Sequence, residues 1–338
     1  MSSQINIKIG GMNISLGGQE LVLKSTGSHS INVPNGLYVG SGLSATSSTL
    51  AAQEVYDGGF GETTEVRLRI ANGGAGQSGL IGEWANAFIQ HMVFVHKVPP
   101  FKVAWYLGDT TQSLGLLAAG EVDIAVTYNE AAEKQSLASG NAAQSVYGFR
   151  DHFMLVGPKT NPAGLNPQND DILAMFNKLV TVGNVDAVIP PANRPPVRFL
   201  SRYDKSATNI KESQLFITIG QVPWALAYSN FYHQYPRFPL QALHASAVLE
   251  EYTLTDYGTW LSSSSDVTNA LVIYQKGTDD ADDLLLNPGH VLLGTHLADE
   301  NANIARYFMQ WVADSDGGQK VIANFKKSGQ VLYSQAPL

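Results

Sequence analysis

Three short stretches of this chain carry residue types that can hold an anion without reacting with it. The first is Asn72-Gly73-Gly74-Ala75-Gly76-Gln77-Ser78-Gly79. It follows a β-type run in which Val66, Leu68 and Ile70 alternate with Arg67 and Arg69, and it precedes helical spacing through Leu80, Ile81, Trp84, Phe88 and Ile89. A strand, a glycine-rich turn and a helix start leave unpaired amide N–H groups at the positive end of the helix dipole, which favours negative charge. The second stretch is Gly108–Gln112, with Thr110 and Thr111, read as a polar loop between a strand at Phe101–Leu107 and a short helix at Ser113–Ala119. The third is Ser201–Thr208, which follows a strand at Val197–Leu200 and carries Ser201, Arg202, Ser206 and Thr208. Taken singly, such Ser and Thr residues are most simply helix caps. Taken together, neutral N–H and O–H donors with one guanidinium suit a compact, highly charged oxyanion such as tungstate, molybdate, sulfate or phosphate.

Other chemistries fit less well. Gly74-Ala75-Gly76-Gln77-Ser78-Gly79 is literally a GxGxxG, so an NAD(P)-binding oxidoreductase is a competing reading. The acidic residue after the next strand, Asp109, lies 30 positions beyond Gly79, where a dinucleotide fold places it about 20 on. No Tyr-Lys or Cys–His set follows, no Gly-Lys-Ser/Thr ends the loop as in a P-loop, and Gly76-Gln77-Ser78-Gly79 lacks the GxSxG spacing of a nucleophile elbow. His91 and His96 are five apart, and the acidic run Asp279–Asp283 lacks the glycine and terminal glutamate of a calcium loop. Trp224, Tyr228, Phe231, Tyr232, Tyr235 and Phe238 form an aromatic band better read as packing than as a sugar cleft. The expectation is a binding protein, not an enzyme, with no cofactor and no resident metal.

These loops must be positioned by alternating elements. Strand and helix patterns succeed one another from Val66 onward, through Val122–Val126, Phe149–Val156, a helix at Asp171–Val180, a proline-rich connection Ile189–Pro196, a strand at Leu271–Tyr274 and an amphipathic helix near Ile304–Val312. The fold class read from this is α/β in two lobes: 61–156 as the first part of lobe 1, 157–268 as lobe 2, and 269–338 as the return to lobe 1. The chain would cross between lobes near Phe153–Gly157 and Asn269–Tyr274. Residues 1–60 differ: Ile5, Ile7 and Ile9 alternate with polar residues, Gly10-Gly11 and Gly17-Gly18 punctuate, Leu21–Leu23 and Ile31–Val33 supply further β runs, and Gly40–Thr49 reads as a linker. We read this as a β-rich extension that packs on the core or on a second copy, making a homo-oligomer one expectation. A net charge of −8 disfavours nucleic acid as a partner, and no apolar run reaches membrane-spanning length. The absence of cysteine rules out a disulfide framework. The N-terminus MSSQINIKIGGMNIS has no basic-then-apolar signal pattern, so a cytoplasmic location stays open beside export.

The loop ending Ser78-Gly79-Leu80, the run Gly157–Gly164, SRYDKSATNIKE at 201–212, Thr218–Trp224, YTLTDYGTWL at 252–261 and LLLNP at 284–288 together form a pattern. From about Val66 to the C-terminus the chain resembles the tungstate-binding proteins of bacterial ABC importers, within the periplasmic-binding-protein type II superfamily. It is most similar to their fungal extracellular relatives. The resemblance implies two hinged lobes closing on one dehydrated oxyanion, without catalysis, in a secreted protein. It places Arg202, Ser206 and Thr208 in the second-lobe anion loop and Thr110 and Thr111 beside the first-lobe loop. Bacterial members carry hydroxyl residues where this chain has Asn72, Gly73, Gly74 and Ala75, and Ser206-Ala207-Thr208-Asn209 stands where they have an SGTH-like ending. Combining both lines, the expected ligand set is Asn72, Gly73, Gly74, Ala75, Ser78, Thr110, Thr111, Arg202, Ser206 and Thr208. A binding fold that has lost its ligand and serves a structural or storage role is the remaining alternative.

Overall fold

Apolar residues at two-residue spacing become strands, and those at three- and four-residue spacing become helices, along most of this chain. The computed structural model describes residues 5–9, 12–16, 29–34, 49–61, 65–225 and 229–337. The breaks expected at Gly10-Gly11 and Gly17-Gly18, the run Leu21–Leu23, residue Tyr228 and the linker up to Ser48 lie outside the described residues. In chain order come β1 (Ile5–Ile9), β2 (Met12–Leu16), β3 (Ser30–Asn32), β4 (Thr49–Ala51), β5 (Glu54–Tyr56) and β6 (Val66–Asn72). Then follow α1 (Gly74–Ser78), α2 (Leu80–Phe94), β7 (Lys102–Leu107), α3 (Thr110–Ala118), β8 (Ile124–Thr127), α4 (Glu130–Ala138) and the long β9 (Ala142–Pro158). The second half comprises α5 (Ile172–Val188), β10 (Phe199–Ser201), α6 (Ala207–Thr218), β11 (Tyr232–Gln234), α7 (Pro239–Leu249) and β12 (Tyr252–Asp256). Next come α8 (Tyr257–Ser262), α9 (Ser265–Ala270), β13 (Leu271–Lys276), β14 (Leu286–Gly294) and α10 (Asp299–Ala313).

The chain divides into two compact units. Of the described residues, the first holds those within 1–39, 43–146 and 290–321, and the second those within 147–289 and 322–338. The chain therefore changes unit within β9 and within β14. Phe153–Val156 of β9 pairs antiparallel with Thr253–Asp256 of β12, and Met154–Pro158 pairs with β13, so both crossing points expected from the sequence fall inside the second unit, one on β9 and one where α9 meets β13.

The two units share one topology. In the first, β6 lies between β7 and β8 and runs parallel to both, with β5 antiparallel to β7 and β14 antiparallel to β8. In the second, β10 lies between β11 and β12 and runs parallel to both, with β9 antiparallel to β12. In each case the chain steps from a central strand to one neighbour and then crosses to the other. The direction of winding reverses at the central strand, and loops at the strands' carboxyl ends border such a point, where open α/β sheets bind ligands.

Packing follows the sequence periodicity. Leu80, Ile81, Trp84, Phe88 and Ile89 form the buried stripe of α2. Phe88 meets Phe308 of α10 edge-on at 5.1 Å. Gly79, at φ +103°, ends α1 and begins α2, a left-handed turn that a β-carbon would strain. The second core gathers Phe176, Phe199, Phe216 and Tyr232. Parts of the N-terminal extension belong to the first unit: Ile31, Val33 and Ala52 are buried, and the Ala52 amide donates to His29 O at 2.7 Å. Among the described residues, no helix is long and apolar enough to cross a membrane.

Candidate functional site

In the first unit, parallel pairing of β6 with β7 and β8 brings three strand ends side by side: Asn72, Gly108-Asp109 and Tyr128. Asn72 is fully buried, and its side chain is spent inside the fold. Its Nδ2 donates to Val126 O at 2.7 Å and its Oδ1 accepts the Gly76 amide at 2.7 Å. The Ala75 amide donates to the Tyr128 hydroxyl at 3.0 Å, and Ser78 Oγ donates back to Ala75 O at 2.9 Å. Several groups expected as anion donors thus staple the loop instead. The Gly74 amide opens α1 and has no acceptor within that helix.

The glycines here answer to packing. A β-carbon on Gly76 would lie 2.1 Å from the Trp105 ring, and one on Gly73 would lie 3.0 Å from Gly108 O. Trp105 is held in turn by its Nε1, which donates to Asn72 O at 2.9 Å.

Gly108–Gln112, expected to be a loop, is one only as far as Asp109: Thr110, Thr111 and Gln112 already belong to α3. The reason is a capping box. Asp109 Oδ1 accepts the Gln112 amide and Gln112 Oε1 accepts the Asp109 amide, each at 2.8 Å. Thr110 and Gln112 are buried while Thr111 is exposed. Thr110 Oγ1 and Gln112 Nε2 have no hydrogen-bond partner among the described residues. Two buried polar groups left open at a helix start suit an acceptor-rich ligand.

In the second unit, β10 delivers the loop Ser201–Ser206 and α6 begins behind it with Ser206 as its cap. Arg202 is 4% exposed. Its Nη2 donates to Asp204 Oδ2 at 2.6 Å, whereas its Nε has no partner among the described residues. Asp204 Oδ1 accepts both the Ser206 amide at 2.9 Å and the Ser206 hydroxyl at 2.5 Å. Thr208, in the first turn of α6, is buried. Beneath the loop, the Tyr232 hydroxyl donates to Ser201 Oγ at 2.7 Å, and Ser201 Oγ donates to Glu212 Oε1, which also accepts from Asn209 Nδ2 at 2.6 Å. Burial pushes the Glu212 carboxyl up to about 7, against the hydrogen bonds from Ser201 and Asn209 and the charge of Arg202; Asp204 adds to the rise.

The structure thus gathers Asn72, Gly73, Gly74, Ala75, Ser78, Thr110 and Thr111 in one unit and Arg202, Ser206 and Thr208 in the other. Reading by residue type missed Gln112, Tyr128, Asp204 and Glu212. Only Gln112 carried a local signal, the Asp-x-x-Gln spacing of a capping box. Among the described residues, no group of three His, Cys, Asp or Glu side chains is placed to hold a metal ion.

Comparison with known proteins is consistent across sequence and structure. Residues 44–316 match the model of the PBP superfamily domain. The chain is 52% identical to a periplasmic protein of known crystal structure to which a metal-binding role is ascribed. That similarity covers 85% of this chain and all of the other, with a TM-score of 0.77. It is 26% identical to the tungstate-binding protein TupA of Peptoclostridium acidaminophilum, over 67% of this chain and 72% of that protein. The fold of the tungstate-binding protein TupA from Desulfovibrio alaskensis G20, 24% identical, superposes with a TM-score of 0.63 over 81% of this chain and 99% of the other. These relatives support a periplasmic-type binding protein and give no support to the fungal or secreted parts of the expectation. The chain is an α/β protein of periplasmic-binding-protein type II architecture and belongs to the PBP superfamily.

Proposed function

We propose that this protein is a non-catalytic solute-binding protein for a small tetrahedral oxyanion, with tungstate or molybdate its first candidates. The observation that carries the reading is Arg202, a guanidinium that is 4% exposed with its Nε unpartnered among the described residues, set close in sequence to the Ser206 and Thr208 hydroxyls at the start of α6. Thr110 Oγ1, Gln112 Nε2, the Gly74 amide and the first two amides of α3 are the donors the first unit offers. A relative ascribed metal binding fits the same reading, because the described residues lack a cation cluster and a metal carried as its oxyanion needs only donors. Export from the cytoplasm belongs to the proposal, supported by the relative described as periplasmic. Pairing of two copies through residues 1–60 is also proposed. It is supported by the isolated two-stranded ribbon β1–β2, whose edges have no other strand partner among the described residues, and is tested by solution mass with and without residues 1–28.

The dinucleotide reading is not carried forward. The glycine loop forms one helical turn seated on Trp105, and the amides of Ala75 and Gly76 are already used. Titration calorimetry and thermal melts with tungstate, molybdate, sulfate, phosphate and NAD(P) test the proposal. Tungstate or molybdate should stabilise the protein, and Arg202→Ala should weaken binding by about 2 kcal/mol or more, the usual penalty for losing a buried charged contact. Stabilisation by NAD(P) alone refutes it, and silence towards every anion favours a structural role.

A further inference from the structure

We infer that Asp204 is a built-in competitor for the oxyanion, a carboxylate that occupies the second unit's anion donors and must yield them when ligand binds. The inference rests on the oxyanion reading. Three donors that a bound oxyanion would use converge on this one side chain: Arg202 Nη2 at 2.6 Å, the Ser206 amide at 2.9 Å and the Ser206 hydroxyl at 2.5 Å. Both members of the ion pair are buried, with side chains 5% and 7% exposed. Asp204 therefore imitates an anion in place, with two oxygens where a tetrahedral oxyanion has four.

The imitation is incomplete. Among the described residues Arg202 Nε has no partner while Nη2 is bound, so the guanidinium meets the carboxylate by one edge atom only. A tetrahedral dianion can take Nε and Nη2 together as a bidentate pair and still accept from the Ser206 amide and hydroxyl. The loop is also held under strain: Tyr203, between the two partners, adopts φ +40°, a left-handed conformation unfavourable for a side-chain-bearing residue. Its amide is tied down to Ser201 Oγ at 3.1 Å. A buried pair with an unsatisfied donor and a strained connector is poised for exchange.

The consequence is a lowered apparent affinity, because only the fraction of molecules with Asp204 displaced is competent to bind. The test compares wild type, Asp204→Ala and Asp204→Asn by calorimetry with sodium tungstate and sodium molybdate, and by thermal melts with and without each salt. Both variants should bind about tenfold tighter or better than wild type. Asp204→Ala, whose Arg202 has lost its counter-charge, should melt lower without anion and recover more on adding it. Wild-type binding with equal or weaker binding by both variants overturns the inference and leaves the oxyanion reading intact. Failure of wild type and both variants to bind either anion overturns the oxyanion reading, and this inference with it.

Discussion

Single residues in the loops do work that residue type alone misassigns. Asn72 has the chemistry of a ligand donor, yet both ends of its amide are consumed, by Val126 O and the Gly76 amide. The adjacent glycines differ in the same way. Gly76→Ala would drive a methyl group into the Trp105 ring and should cost about 1–3 kcal/mol, read as a lowered urea midpoint. At Gly74 a β-carbon meets nothing closer than the Tyr128 hydroxyl at 3.8 Å. Gly74→Ser should therefore keep the fold and, by adding a hydroxyl beside the α1 amide, strengthen molybdate binding in calorimetry. Glu212 makes a pH-dependent contribution with a defined sign. Its folded value of about 7 lies above the ordinary 4.5, so the folded state holds the proton more tightly. Stability from this group is greatest below 4.5 and is lost as pH rises through 7, by about 3 kcal/mol in all. Urea midpoints of wild type should fall between pH 5 and pH 8 by more than those of Glu212→Gln; equal slopes would refute the assignment.

At the scale of elements, helix starts decide where the donors stand. The Asp109–Gln112 box fixes the first turn of α3 and thereby sets Thr110 Oγ1 beside Gln112 Nε2. Asp109→Ala should cost about 1 kcal/mol of stability and, by loosening Gln112, weaken oxyanion binding several-fold. A stability loss with unchanged affinity would confine Asp109 to a structural role. The sequence made the elements legible where periodicity is strong: β6, β7, α10 and the strand–loop–helix order around each anion loop. It read α3 too late, because Thr110, Thr111 and Gln112 are polar and their helical state depends on the reciprocal cap. It stopped α5 at Val180, whereas the helix runs to Val188 with Val185 and Val188 exposed and no glycine stop to mark its end. The Ser201–Thr208 loop was legible from its hydroxyls and its single arginine. What those groups bind was not, since no spacing in the sequence shows that the fold buries Asp204 against Arg202.

At the scale of the whole molecule, the same winding pattern occurs twice without a residue-level repeat, because topology constrains where apolar stripes fall and not which residues fill them. Each unit is also assembled from separated segments. The first takes its strand partner for β8 from Val291–Leu293 and its cover for α2 from α10, where Phe308 and Trp311 pack on Phe88 at 5.1 and 5.5 Å. Trp84 is anchored by a 3.1 Å bond from its Nε1 to Gly318 O. None of these partners lies within the continuous stretch 29–146. Losing a buried large aromatic costs about 3–5 kcal/mol, and two of them together with a sheet neighbour exceed much of the 5–15 kcal/mol that holds a typical domain. A fragment of residues 29–146 should therefore show no cooperative thermal transition by circular dichroism. Adding residues 286–324 as a separate chain should restore one, with the sigmoidal melt dependent on the concentration of the second piece. A sharp transition from the first fragment alone would mean that the returning segment decorates this unit and does not complete it.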